Sequence, residues 1–302
     1  MRRTTMKRSI RPSALFLLFL FALPAAHAEE AGAYLWPAPH SRIVSQGYAP
    51  RAHEAIDIAG RLGDSIVASG SGTVIYALTG CKNTDGLQTG IRCGTRAGCS
   101  KRSVANHPLD GFCNYGFGNG VVLRHSDGAY TVYAHFSYVD PSLRRGRRVE
   151  QGLYLGDMGT SGRSAGVHLH FSVTAPRSPG FTKNRLDPAE VFPPFVYVAT
   201  AGATEITAHS ARLEGVFSFL GPVPEQVGIL MGESPSLLAL SPEYLDTEFP
   251  DLTYMKMVYD VDNIGGWPLR PGATYFWQCY AIQNGRMELG EIKRFTTLED
   301  SP

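Results

Sequence analysis

No apolar run in this 302-residue chain reaches the ~20 residues that a membrane-spanning helix needs. The run Ala14–Leu23 stops at Pro24. An excess of one charge is also missing: 28 basic side chains stand against 27 acidic ones, which excludes the basic surplus of a nucleic-acid binder. Close Cys-x-x-Cys pairs are absent, which argues against a structural zinc site built from thiolates. Between residues 29 and 198 no stretch sustains a long helical period, which points that part away from helix and toward β. With 43% apolar and only 18% charged residues, the chain has ample material for a packed core.

The N-terminus carries the order of a secretory signal. Arg2, Arg3, Lys7, Arg8 and Arg11 precede the apolar run, and Ala26-His27-Ala28 supplies the small residues of a cleavage site. Cleavage is expected after Ala28, and no cysteine stands there to take a lipid. The product is therefore expected to be exported, either periplasmic or secreted. That compartment favours oxidation, and Cys81, Cys93, Cys99 and Cys113 crowd into one segment. They are read as two disulfides whose pairing the sequence leaves open.

Short β-branched or aromatic runs bounded by turn residues follow: Ser65–Ala68, Gly72–Ala77, Val121–His125, Tyr130–Phe136 and Val167–Thr174. The expected fold class is mainly β, with residues 29–198 forming an antiparallel sheet domain. A Gly-, Asn- and Cys-rich insertion spans residues 79–117, unusually long for a loop in a compact domain, and disulfides would order it. The stretch Phe192–Gly202, with two prolines and small residues, marks the expected boundary. Residues 203–302 then show further alternating strands and predict a small β-sandwich.

Three segments hold the chemistry: His53-Glu54-Ala55-Ile56-Asp57, Tyr133-Ala134-His135-Phe136 and His168-Leu169-His170-Phe171. In a strand His168 and His170 share one face, while Leu169, Phe171 and Val173 share the other and pack on the core. His53 and Asp57 would stand ~13 Å apart on a straight strand, so the chain must bend between them, at Glu54-Ala55. Imidazole nitrogens and a carboxylate suit zinc, and a catalytic zinc site uses three protein ligands. His40, His107, His125 and His209 are read as structural or surface residues. Arg144, Arg145, Arg147 and Arg148 read as a solvated turn. Gly156, Gly159 and Gly162 are expected to permit backbone angles that other residues avoid.

The segments SRIVSQGYAP, HEAIDIAGRLGDSIVASGSGTVIYA, GNGVVLRHSDGAYTVYAHFSYV and GTSGRSAGVHLHFSV resemble the catalytic domain of lysostaphin/LytM-type zinc metallopeptidases. The resemblance spans residues 41–175 apart from the cysteine-rich insertion. It departs at Ala55, where the family often has glycine. It implies that His53, Asp57 and His170 bind zinc, and that His135 and His168 are catalytic residues beside the metal. Tyr48 could donate to an oxyanion or simply pack. The implied activity is a zinc endopeptidase acting on peptidoglycan cross-links or stem peptides. The alternative is a non-catalytic relative that activates a separate cell-wall amidase; such proteins typically lack a ligand, whereas all five positions are present here. A protein substrate is a third reading, with the insertion walling the groove or covering the metal.

Residues 203–298 resemble a fibronectin type III-like module. Leu269-Arg270-Pro271-Gly272-Ala273-Thr274-Tyr275 is similar to the approach to its tyrosine corner, with Ala273 in place of threonine. In that picture Tyr275, Trp277 and Cys279 face inward, and Cys279 is a buried free thiol. Such a module serves as a spacer or as a docking surface for a wall or protein partner.

Overall fold

The computed structural model describes residues 34–81, 113–236, 238–246 and 253–300. The expected signal segment, Cys93, Cys99 and most of the insertion lie outside them. Helix is confined, among the described residues, to two 3-10 turns at Cys113–Gly116 and Pro188–Glu190. Everything else is strand, turn or loop, as the short alternating runs dictate.

Ten strands form the first sheet: β1 (Ile43–Gln46), β2 (Ile56–Ala59), β3 (Ser65–Val67), β4 (Gly72–Leu78), β5 (Asn119–Arg124), β6 (Tyr130–Val139), β7 (Arg148–Val149), β8 (Tyr154–Met158), β9 (His168–Thr174) and β10 (Arg185–Leu186). The main path runs β1-β2-β9-β6-β5-β4-β7, with every pairing antiparallel. The strand carrying both close-spaced histidines therefore lies between β2 and β6. Leu169, Phe171 and Val173 are fully buried against Tyr133, Ile56 and Ile58. Each such side chain contributes about 1.5–3 kcal/mol by leaving water. That anchoring fixes the opposite face of β9.

The glycines before β9 have two different reasons. Gly156 and Gly162 hold φ of +152° and +81°, angles that L side chains rarely adopt. Gly159 has no such angle. It is required because a Cβ there would run into the main-chain nitrogen of Ser137 on β6.

Ten further strands follow: β11 (Phe195–Thr204), β12 (Ala211–Leu220), β13 (Gln226–Gly232), β14 (Ala239–Asp246), β15 (Tyr254–Val261), β16 (Asn263–Ile264), β17 (Trp267–Pro268), β18 (Thr274–Gln283), β19 (Arg286–Leu289) and β20 (Lys293–Thr296). The sheet β11-β12-β15 faces the sheet formed by β14, β13, β18, β19 and β20, and β16-β17 is a separate ribbon. Phe217 and Leu213 from one sheet share a core with Ile229, Met231 and Trp277 from the other. The Tyr275 hydroxyl accepts the main-chain N–H of Arg270 at 2.8 Å, a tyrosine tied back to the backbone upstream. Tyr275, Trp277 and Cys279 are buried, and Cys279 is free. Cys81 is disulfide-bonded, and its pairing rests on side chains outside those described.

Within the stretch Phe192–Gly202, β11 begins at Phe195 and pairs along β12 from Phe195↔Leu220 to Thr204↔Arg212. Its small residues fit a strand covered on one face. The two β parts are also joined. Val44 on the edge strand β1 donates its N–H to Ser218 Oγ at 2.7 Å, and its carbonyl accepts from Thr253 Oγ1 at 3.1 Å. Trp36 stacks edge-on against Phe195 at 5.0 Å, and Leu220 belongs to the first core.

Candidate metal centre

Cross-strand pairing assembles the site. Asp57 on β2 is directly opposite His170 on β9, and Ala59 is opposite His168. Paired residues point to the same face of a sheet, so the carboxylate and both imidazoles stand together on the face away from the core. His53 arrives by a tight turn: Arg51 takes φ +66°, and His53 and Ala49 exchange main-chain hydrogen bonds of 2.7 and 2.8 Å. A bend at Ala55 then leads into β2. This is the fold-back that the His53–Asp57 spacing requires.

His135 arrives differently. It occupies a bulge in β6, where the ladder with β5 jumps from Asn119↔Phe136 to Gly120↔Ala134 and leaves His135 unpaired in register. Its φ is +68°, a left-handed value uncommon outside glycine, though histidine takes it more readily than most side chains. The bulge turns the imidazole toward the histidine face, with its ring centroid 4.7 Å from His168 and 5.7 Å from His170.

The separations are short. His53 Nε2 lies 3.1 Å and His170 Nδ1 lies 3.0 Å from Asp57 Oδ1, and His168 Nε2 lies 3.6 Å from Oδ2. One donor atom each from His53, Asp57 and His170 falls within 4.8 Å of the others. Three imidazoles have their proton fixed by main-chain carbonyls, which can only accept. His53 Nδ1–H donates to Gly47 O at 3.0 Å, His168 Nδ1–H to Gly166 O at 2.9 Å, and His135 Nδ1–H to Ser161 O at 2.7 Å. Each of these rings therefore turns a bare Nε2 lone pair inward.

That arrangement tests the fit of a cation. The lone pair of His53 Nε2 and the Asp57 carboxylate oxygen face each other at hydrogen-bond distance, and two acceptors so placed repel unless a proton or a metal lies between them. Burial would raise the Asp57 carboxyl, but the facing His170 and His53 rings hold it far below the usual carboxylate range. Burial pulls His53 down, and the facing Asp57 carboxylate outweighs this and raises it. His170 is lowered by burial despite Asp57. His135, buried and facing His168 and His170, is lowered well below the ordinary imidazole value. Two imidazoles and a carboxylate, with two further imidazoles alongside, are a donor set suited to zinc.

Residues 51–188 match peptidase family M23. Among curated relatives, the DD-carboxypeptidase/endopeptidase Mpg of Neisseria meningitidis serogroup B is 30% identical over 146 residues, 47% of this chain and 31% of that protein. The murein hydrolase activator NlpD of Salmonella dublin is 26% identical over 141 residues, 47% of this chain and 28% of its own length. The chain thus spans about a third of these relatives. The crystallised catalytic domain of lysostaphin from Staphylococcus simulans aligns over 48% of this chain and 86% of its own, at 23% identity and a TM-score of 0.32; a superposition this loose carries no argument.

All five sequence-predicted site residues come together within the M23-matching segment. Tyr48 lies at its margin, its hydroxyl donating to Arg185 O at 3.4 Å. Three contributors escaped sequence reading. Ser161 holds His135 through its carbonyl and braces the bulge by donating its hydroxyl to Phe136 O at 2.7 Å. Asn119 donates its main-chain N–H to the same hydroxyl at 2.8 Å. Phe117 sets its ring 6.0 Å from His170. Ser161 and Asn119 lie inside segments that carry the resemblance, but nothing in their spacing marks a role, and Phe117 lies just outside them. His125 is structural as expected, bonded to Ser71 O and Thr131 Oγ1.

Proposed function

We propose that this chain is an exported zinc-dependent endopeptidase that hydrolyses peptide bonds in bacterial peptidoglycan. The observation that carries the reading is the complete donor set: His53, Asp57 and His170 converge on one point, with His135 and His168 presenting bare nitrogens beside it. The chemistry zinc supplies when held there is Lewis acidity, which polarises a carbonyl oxygen and eases loss of a proton from water. The protein's own residues do the rest. Gly47 and Gly166 carbonyls lock the tautomers of His53 and His168. His168 Nε2 can take a proton from water and deliver it to the leaving amine. His135, kept neutral by burial, orients the reacting groups. The β9 face anchored through Leu169, Phe171 and Val173 keeps these atoms from drifting.

An amidase-activating role is the second reading, favoured by the relative named as a murein hydrolase activator. It needs no metal ligands, and a complete set argues against it. Residues 1–28 are read as the cleaved signal and the 195–300 part as a fibronectin type III-like sandwich, on its strand order and the Tyr275 tie. The first domain then ends near residue 194. Digestion of purified peptidoglycan by the mature protein should release new amino termini, and both His170→Ala and a chelator should abolish them. Absence of products in every condition, together with stimulated hydrolysis by an added amidase, would overturn the reading.

A further inference from the structure

Strand β10 carries a group that the five-residue site does not use. Arg185 pairs with Thr174, and on β9 Thr174 shares the face of His168, His170 and Ser172. Arg185 therefore projects from the same side of the sheet as Asp57 and His170. It lies along the edge of β9 in line with β2, at the end where the chain enters from His53. Its main-chain oxygen accepts from Tyr48, which borders the segment Gly47–His53.

The guanidinium is half-buried, and its Nε is buried without a hydrogen-bond partner. None of the ion pairs among the described residues includes Arg185. Glu54 is near enough for its charge to act on Arg185 but forms no ion pair with it. A partly desolvated cation with an unmet donor is costly, and a planar fork of N–H donors matches a carboxylate or a phosphate, of which a peptide substrate supplies the carboxylate. Its charge is felt at the centre itself, where it opposes protonation of both His53 and His170.

We propose that Arg185 is the docking cation for a carboxylate on the peptide substrate, placed beside the metal centre so that the neighbouring amide lies against His168 and His135. This rests on the peptidase reading and narrows it: the substrate class is an acidic peptide with a free carboxylate close to the bond attacked. Bidentate capture would fix the distance and the direction of the chain along the β9 face.

The test is a coupling measurement. A wall stem pentapeptide, and versions with its carboxylates amidated one at a time, are titrated by calorimetry into the zinc-supplemented full chain carrying His168→Ala, with and without Arg185→Gln. One amidation should weaken binding at least about ten-fold in the protein that keeps Arg185 and have no effect in the Arg185→Gln variant. Arg185→Lys, which keeps the charge, should retain part of that discrimination. Equal responses to every amidation with and without Arg185→Gln would overturn the dock, as would failure of any peptide to bind. A purely structural role would weaken all peptides alike. Hydrolysis is followed separately with His168 intact: coupling without hydrolysis would sink the peptidase reading and leave the dock, and hydrolysis without coupling would do the reverse.

Discussion

Asp57 and His170 stand opposite one another across the β2–β9 ladder, with Oδ1 and Nδ1 3.0 Å apart. Because the two residues are a cross-strand pair, this distance is set by sheet geometry and not by side-chain preference. The ladder thus supplies two of the three donors, and only His53 has to be brought in by a turn.

Replacing Asp57 by Asn keeps the shape and removes the charge that three imidazoles share. Zinc affinity should fall at least about 100-fold, more than loss of an outer partner usually costs. Competition with a chromophoric chelator measures this, and metal analysis after dialysis should find one zinc in the parent protein and little in Asp57→Asn.

The backbone at His135 separates strain from chemistry. At φ +68° a residue with a Cβ is disfavoured relative to glycine by roughly 1–2 kcal/mol. His135→Gly should therefore unfold at a higher denaturant midpoint than His135→Ala, while both hydrolyse at rates lower by about 10²–10⁴-fold than the parent and still bind zinc. Equal stabilities of the two variants would contradict the strained bulge.

His125 predicts a pH dependence away from the candidate metal centre. Burial lowers its pKa, with its bond to Ser71 O and the charge of Asp127 opposing, so the folded protein prefers the neutral ring. The unfolded chain binds the proton first as pH falls through ~6.5, so stability contributed above that value is lost on acidification. Thermal unfolding at pH 5 and pH 7.5 should show a smaller drop in Tm for His125→Gln than for the parent.

Cys279 should be silent to thiol reagents in the folded state. Burial raises its thiol to about 12, against a weaker opposing bond to Thr200, and its accessible surface is 0%. Modification by an aromatic disulfide reagent at pH 8 should appear only with unfolding. Gly215→Ala, whose Cβ would approach the Cys279 sulfur at 2.5 Å, should destabilise by about 1–3 kcal/mol in chemical denaturation.

Much of this site can be read from residue order because strands convert spacing directly into facing. The alternation at His168–Val173 announces which face is buried, and the His53–Asp57 interval demands a bend. What escaped is what spacing does not encode. The left-handed bulge at His135 comes from a register jump against β5, visible only once two strands are paired. Ser161 and Arg185 reach the site through tertiary pairing, which their place in the sequence does not encode. The start of β11 at Phe195, inside the expected boundary stretch, has a similar origin, since small residues do not announce a strand until a partner such as β12 covers them. Gly159 gives a subtler case, where close approach of β6 and not an unusual angle demands glycine.

The contact between Val44 and the hydroxyls of Ser218 and Thr253 makes the C-terminal sandwich part of the first sheet's own boundary. Thr253 also packs on Gly47, where a Cβ would come within 2.8 Å of its methyl, and the Gly47 carbonyl is what orients His53. A fragment cut off near residue 194 would expose an uncovered strand edge to any other chain and loosen His53 at the same time. Edge protection and the geometry of the candidate centre are in this sense a single property, held from outside the M23-matching segment.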